Sequence, residues 1–178
     1  MAADGAPHLN LEEPWLRGPL AGVHPLVAPT LHAFTQARED LAQWTVGLTD
    51  VQIWLRPYGL APVGFHLRHI AGSVERLTTY LRGQQLTPLQ LQAVRRELDH
   101  NETNPGPGQS QLIAEVNEAL HKSEQTIKAI APSSFTEPRR VGRKELPTTV
   151  IGLVVHLAEH TQRHVGELIV TAKLARKA

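Results

Sequence analysis

Apolar residues recur along this chain at the three-and-four spacing of amphipathic helices. Leu26, Val27, Leu31, Phe34, Leu41 and Trp44 mark a first helix from Pro25 to about Val46. In "GLTDVQIWLRPYG", Thr49 or Asp50 can cap a short helical turn that Pro57 and Gly59 end. Val63, Leu67, Ile70, Val74, Leu77 and Leu81 set out a second long helix from about Pro62 to Arg82, with Pro62 suited to its first turn and Gly83 to its stop. Thr87 caps a shorter connecting helix that starts at Pro88 in "LTPLQLQAVRRELDH". The turn chemistry of "NETNPGPGQS" reads as a loop. A third long helix spans about Gln109 to Ile130 and stops before Pro132. After the connection "PSSFTEPRRVGRKELP", a fourth begins near Pro147 and runs to Lys173 or beyond.

Four long amphipathic segments, no convincing strand and a long link between the second and third predict an all-α fold: a four-helix bundle with a long crossover between helices 2 and 3. The bundle domain is expected over 25–178, preceded by an extended N-terminal arm over 1–24. That arm holds three prolines and three glycines without a sustained period, and Trp15 and Leu16 are the residues expected to pin it. A chain of 178 residues can build one domain with a real core. No internal repeat and no low-complexity tract interrupts it.

Charge and cysteine content narrow the chemistry. With 18 Lys and Arg against 17 Asp and Glu, the net charge is +1, and no basic face suggests nucleic-acid binding. The local cluster "PRRVGRK" at 138–144 reads as a solvated loop between helices. There is no cysteine, which excludes disulfides, thiolate metal sites and a cysteine nucleophile. Any metal site must therefore use His, Asp, Glu and water. A reducing cytoplasm fits this composition. The first residues lack the basic and apolar regions of a secretory signal, and no apolar run has the length of a membrane span. The expectation is a cytoplasmic protein acting on a small molecule, with neither nucleic acid nor membrane as partner.

The stretch "HLAEHTQRHVGEL" changes the picture. At about 100° per residue, His156 and His164 lie about 40° to either side of His160, and Glu167 lies about 20° off the same line. Leu153 and Leu157 share that side, so the stripe should face the core. Buried ionisable groups are costly unless paired or metal-bound, and two histidines at i, i+4 can reach one divalent ion. Such a pair also arises by chance in a helix rich in histidine, and the chain has ten. The second long helix carries "GFHLRHIAGSVERLTTYL", with His66 and His69. Ser73, Arg76 and Tyr80 fall within about 40° of His69 on one stripe. One histidine from this helix could complete a three-histidine site, and spacing alone does not separate His66 from His69.

These segments carry a resemblance to a known family. "HIAGSVERL" at 69–77, followed by "HTQRHVGEL" at 160–168, with "LTDVQIWLRP" ahead of the second helix, resembles the DinB-like metalloprotein superfamily over roughly 25–176. The resemblance implies a four-helix bundle with a long second-to-third crossover and one divalent ion, zinc or nickel, on three histidines. In such proteins one ligand comes from an "HxA" segment and two from an "HxxxHxGQ" segment. Carried over, the ligands are His69, His160 and His164, while His66 and His156 match no ligand position. Some members are thiol S-transferases using bacillithiol, mycothiol or glutathione. This chain departs from the pattern in having Glu167 where the family usually has Gln. That carboxylate could orient a histidine, bind the metal, act as a base, or simply pair at the surface with Arg163 or Lys173.

Two function classes follow. In the first, the chain is a metal-dependent enzyme. Three imidazoles leave a coordination position open, which is the mark of a catalytic site, and a bound water or thiol would become the nucleophile. A low-molecular-weight thiol would supply the thiol sulfur that this cysteine-free chain lacks. Glu167 or His156 would be the base, and Arg76, with Tyr80 on the same stripe, would hold the cofactor. In the second, the metal or a hydrogen-bonded histidine cluster only fixes core geometry, and the chain is a non-catalytic binding or interaction module, expected as a homodimer through exposed helix faces.

Overall fold

The computed structural model describes residues 12–98 and 106–178. Six helices appear among them: α1 (Ala28–Thr45), α2 (Asp50–Trp54), α3 (Val63–Leu81), α4 (Pro88–Leu98), α5 (Gln109–Lys128) and α6 (Val150–Ala175). Local chemistry sets several of their starts. Thr49 and Gln52 form a capping box on α2, each side chain bonding the other's backbone N–H. Thr87 and Gln90 do the same for α4, with Gln90 N–H donating to Thr87 Oγ1 at 3.2 Å and Thr87 N–H to Gln90 Oε1 at 2.9 Å. Thr149 caps α6 by accepting from Gly152 N–H at 3.1 Å. Pro62 stands at the N-cap of α3, one position ahead of the first-turn place expected for it.

The four long helices pack in a closed ring: α3 against α5 and α6, and α1 against α6 and α5. The apolar stripes meet inside. Phe34 of α1, Leu67 and Ile70 of α3, Leu112 and Leu120 of α5, and Leu157 and Leu168 of α6 are all fully buried. Each such side chain contributes roughly 1.5–3 kcal/mol of transfer free energy. The crossover between α3 and α5 carries α4, which rests chiefly on α3. No helix among the described residues is long and apolar enough to cross a membrane.

Three expectations need correction. First, 138–144 is not a solvated loop. Pro138–Val141 (β1) pairs antiparallel with Leu146–Thr149 (β2), with Arg139 opposite Thr148 and Val141 opposite Leu146. Arg139 Nε donates to the Leu81 carbonyl at 2.8 Å, and Val150 N–H to the Glu137 carbonyl at 3.0 Å, so the hairpin is tied to both α3 and α6. Second, α6 therefore starts at Val150, because Pro147 to Thr149 are used by β2. Third, Trp15 and Leu16 do not pin the N-terminal segment, being 62% and 53% exposed. Pro14 is buried instead, and Arg17 grips Glu39 of α1 through both terminal nitrogens at 2.6 and 2.8 Å. The first eleven residues of the expected arm, residues 99–100 at the end of the expected connecting helix, and residues 101–105 of the expected loop lie outside the described residues.

Candidate metal centre

The facing stripes of α3 and α6 bring four histidines together. His69 Nε2 lies 3.1 Å from His160 Nε2. The His164 ring centroid is 4.4 Å from that of His69 and 4.7 Å from that of His160. One ring nitrogen from each of these three residues lies within 4.8 Å of the other two. All three residues are part-buried, so the cluster keeps a side open to solvent. Phe65 lies nearly parallel to the His69 ring, 14° between planes and 5.4 Å between centroids, which limits how that imidazole can turn.

Electrostatics keep two of these rings neutral. Burial, then the neighbouring histidines, push the pKa of His160 down to about 4. Burial also lowers His164, with His69 adding to the effect and Glu167 opposing it. Both rings therefore present lone pairs at neutral pH, the form a metal requires. The donor set fits a divalent ion. Tetrahedral zinc with nitrogen ligands at about 2.0–2.1 Å has ligand–ligand edges of about 3.3 Å, close to the His69–His160 separation.

Two carboxylates hold the rings from behind. Glu97 of α4 is only 5% exposed and reaches His69 Nδ1 with Oε2 at 3.1 Å. Burial alone would raise its pKa, but hydrogen bonds from His69 and Arg76 outweigh that and the net shift is downward. An ionised carboxylate only accepts, so at this contact His69 Nδ1 is the donor, and the ring's other nitrogen, Nε2, faces His160. Arg76 completes the arrangement, its two terminal nitrogens each meeting one oxygen of Glu97. Glu97 can come this close because residue 72 is glycine. A Cβ there would overlap Glu97 Oε1 and stand 2.6 Å from Arg76 Nη1. On the far side, Glu167 Oε2 lies 3.2 Å from His164 Nδ1 and 3.5 Å from His66 Nδ1.

His66 is 3% exposed and meets His164, nitrogen to nitrogen, at 3.3 Å. Burial lowers its pKa to about 4, against the opposing pull of Glu167. His66, His164 and Glu167 make a second possible ligand group that shares His164 with the first. Glu167 is half-exposed, and the surface partners considered for it are engaged elsewhere: Arg163 with Glu159, Lys173 over the Trp44 ring. His156 sits at the edge of the cluster, its ring 5.4 Å from that of His160, and bonds Glu159 at 2.9 Å. Arg76 has both terminal nitrogens on Glu97, and Tyr80 is buried in the core.

Glu97 escaped the sequence reading. Two signals for it were present. It lies on the same side of its helix as the apolar residues Ala93 and Val94, where a carboxylate is out of place. An isolated glycine, Gly72, also interrupts the histidine-bearing helix at a cost of about 1 kcal/mol against alanine, which points to a packing or functional reason for it.

The family model described as the DinB superfamily matches residues 33–168, a span that contains every residue of both ligand groups. No curated protein matches the chain.

Proposed function

Because this chain belongs to the DinB superfamily, we propose that His69, His160 and His164 hold one divalent ion, zinc or nickel, and that the protein is a metal-dependent enzyme transferring a low-molecular-weight thiol to an electrophilic small molecule. The observation that carries this reading is the convergence of three ring nitrogens within 4.8 Å, on two helices, with a solvent-facing side. Three protein ligands leave a position for an exogenous one, as catalytic zinc sites do. When bound, the ion supplies Lewis acidity that favours the thiolate form of a thiol at neutral pH.

The chain's own residues account for the rest. His160 and His164 are held neutral, ready to ligate. Glu167, half-exposed beside His164, or His156 at the edge of the cluster would serve as the base that takes the thiol proton. The sulfur then forms its bond to the electrophilic carbon, and the leaving group departs with its bonding pair. With no cysteine, the chain offers no thiol of its own to compete for the metal or the electrophile.

Elemental analysis of freshly purified, tag-free protein tests the metal. One divalent ion per chain is expected, lost in His69→Ala and in His160→Ala. Full metal content in both variants would overturn the assignment. Metal-loaded protein that consumes neither bacillithiol, mycothiol nor glutathione with any electrophile tried would leave the ion a structural role and favour the non-catalytic module.

A further inference from the structure

The three proposed ligands belong to two long helices, yet the most buried charged side chain at the site comes from outside the four-helix ring. Glu97 rides on α4, in the crossover, and only 5% of it is exposed. An ionised carboxylate in such a place needs compensation on both oxygens. It has it: one oxygen meets His69 Nδ1 at 3.1 Å and Arg76 Nη2 at 3.1 Å, and the other meets Arg76 Nη1. Gly72, one turn beyond His69, supplies the room.

We propose that Glu97, clamped by Arg76 over Gly72, is the positioning residue for His69, fixing its ring and tautomer so that Nε2 faces the metal position. The inference rests on the three-histidine reading and adds to it a crossover residue on which the metal affinity of the site depends.

Geometry gives this contact its direction. An imidazole has two nitrogens and can rotate about two side-chain bonds. Phe65 restrains the plane of the His69 ring by stacking, but stacking cannot choose between the nitrogens. The carboxylate can, because it only accepts, and so it takes the proton-bearing nitrogen for itself. Arg76 acts one step further back. Its fork grips both carboxylate oxygens, which keeps Oε2 turned towards the ring. Ligating histidines commonly donate their second N–H to such a carboxylate, and loss of that partner costs about 10–100-fold in metal affinity. A merely structural Glu97–Arg76 pair would support the docking of α4 but would have no influence on which His69 nitrogen is protonated.

The test therefore reads the ring as well as the metal. In metal-free, full-length protein, side-chain ¹⁵N spectra are expected to show His69 with its proton on Nδ1. In Glu97→Ala the His69 signals should move to the other tautomer or to an average, and zinc affinity, measured by competition with a chromophoric chelator, should fall about 10–100-fold. Glu97→Gln keeps the side-chain volume and a contact to Arg76, so it serves if the alanine variant does not fold. Its neutral oxygen is a weaker acceptor, and a zinc loss of about 10-fold is expected. Wild-type zinc affinity with an unchanged His69 tautomer in the folded variants would overturn the proposal. His69→Ala separates the two levels. If it keeps full zinc affinity, the three-histidine site itself is wrong. If it loses zinc while the Glu97 variants do not, only the role of Glu97 fails.

Discussion

Replacing Gly72 with alanine should separate helix stability from metal binding. In a helix interior, alanine is favoured over glycine by roughly 0.8–1 kcal/mol. Here the added Cβ would overlap Glu97 Oε1 and crowd Arg76 Nη1 at 2.6 Å. Both are the ends of flexible side chains, so the ion pair swings away before the backbone moves. The charge-assisted hydrogen bonds given up are worth about 1.5–3 kcal/mol. Subtracting the helix gain leaves a net loss of roughly 0.5–2 kcal/mol in the metal-free protein. At about 2–4 °C per kcal/mol for a chain of this size, the melting temperature falls by about 1–8 °C. Zinc affinity should drop about 10–100-fold, because His69 loses the acceptor that orients it. Gly166 is the matched control, since it lies between His164 and Glu167 on α6 and an added Cβ there meets nothing within 4 Å. Gly166→Ala should gain up to about 1 kcal/mol and leave zinc binding as it was. Thermal melts without metal, paired with chelator competition for zinc, measure both quantities. Wild-type zinc affinity in Gly72→Ala, or an equal loss in Gly166→Ala, would refute the reasoning.

Three further outcomes are expected. Glu167→Gln, which restores the family's usual residue, should keep the fold and bind metal about 10-fold more weakly or with a displaced pH dependence; superimposable titrations across pH would make the carboxylate a bystander. His66 has its pKa lowered from 6.5 to about 4, so between those values the unfolded chain binds the extra proton. That part of the stability is whole above pH 6.5 and is lost as pH falls towards 4, at up to about 1.4 kcal/mol per pH unit. His66→Gln should flatten the slope of metal-free stability over that window in urea titrations, and equal slopes would count against the burial argument. Glu145 holds a left-handed φ of 49° in the turn between β1 and β2, so Glu145→Gly should raise stability by up to about 1 kcal/mol, and a loss in thermal melts would show the strain is absent.

The helices were legible because their signals are local. Caps such as Thr87, proline at helix starts, and apolar spacing each act within a few residues. The hairpin was not. "PRRVGRKELPTT" lacks the clean alternation of a half-buried strand, and its turn places Gly142 and Glu145 at positive φ instead of using a two-residue hairpin turn. Part of its support is tertiary, from Arg139 to the Leu81 carbonyl of α3. The same division runs through the site. The spacing of His160 and His164 puts both on one stripe, so their shared face could be read directly. Choosing between His66 and His69 needs the rotation of α3 against α6, which turns His69 towards His160 and His66 towards His164. Glu97 depends on how the crossover folds back onto Gly72, and no periodicity within α4 encodes that.

The docking of α4 also bears on kinetics. An eleven-residue helix that rests chiefly on α3, with Leu89 77% exposed, is expected to open locally at a lower cost than the ring of four helices. When it lifts, His69 remains on the scaffold but loses the carboxylate behind it. The amides of α4 should then exchange hydrogen at a lower opening free energy than those of α3 or α6. The residence time of a bound ion would follow that local opening instead of global unfolding, so sequence changes in the crossover could adjust how fast metal is captured and released while every ligand stays in place.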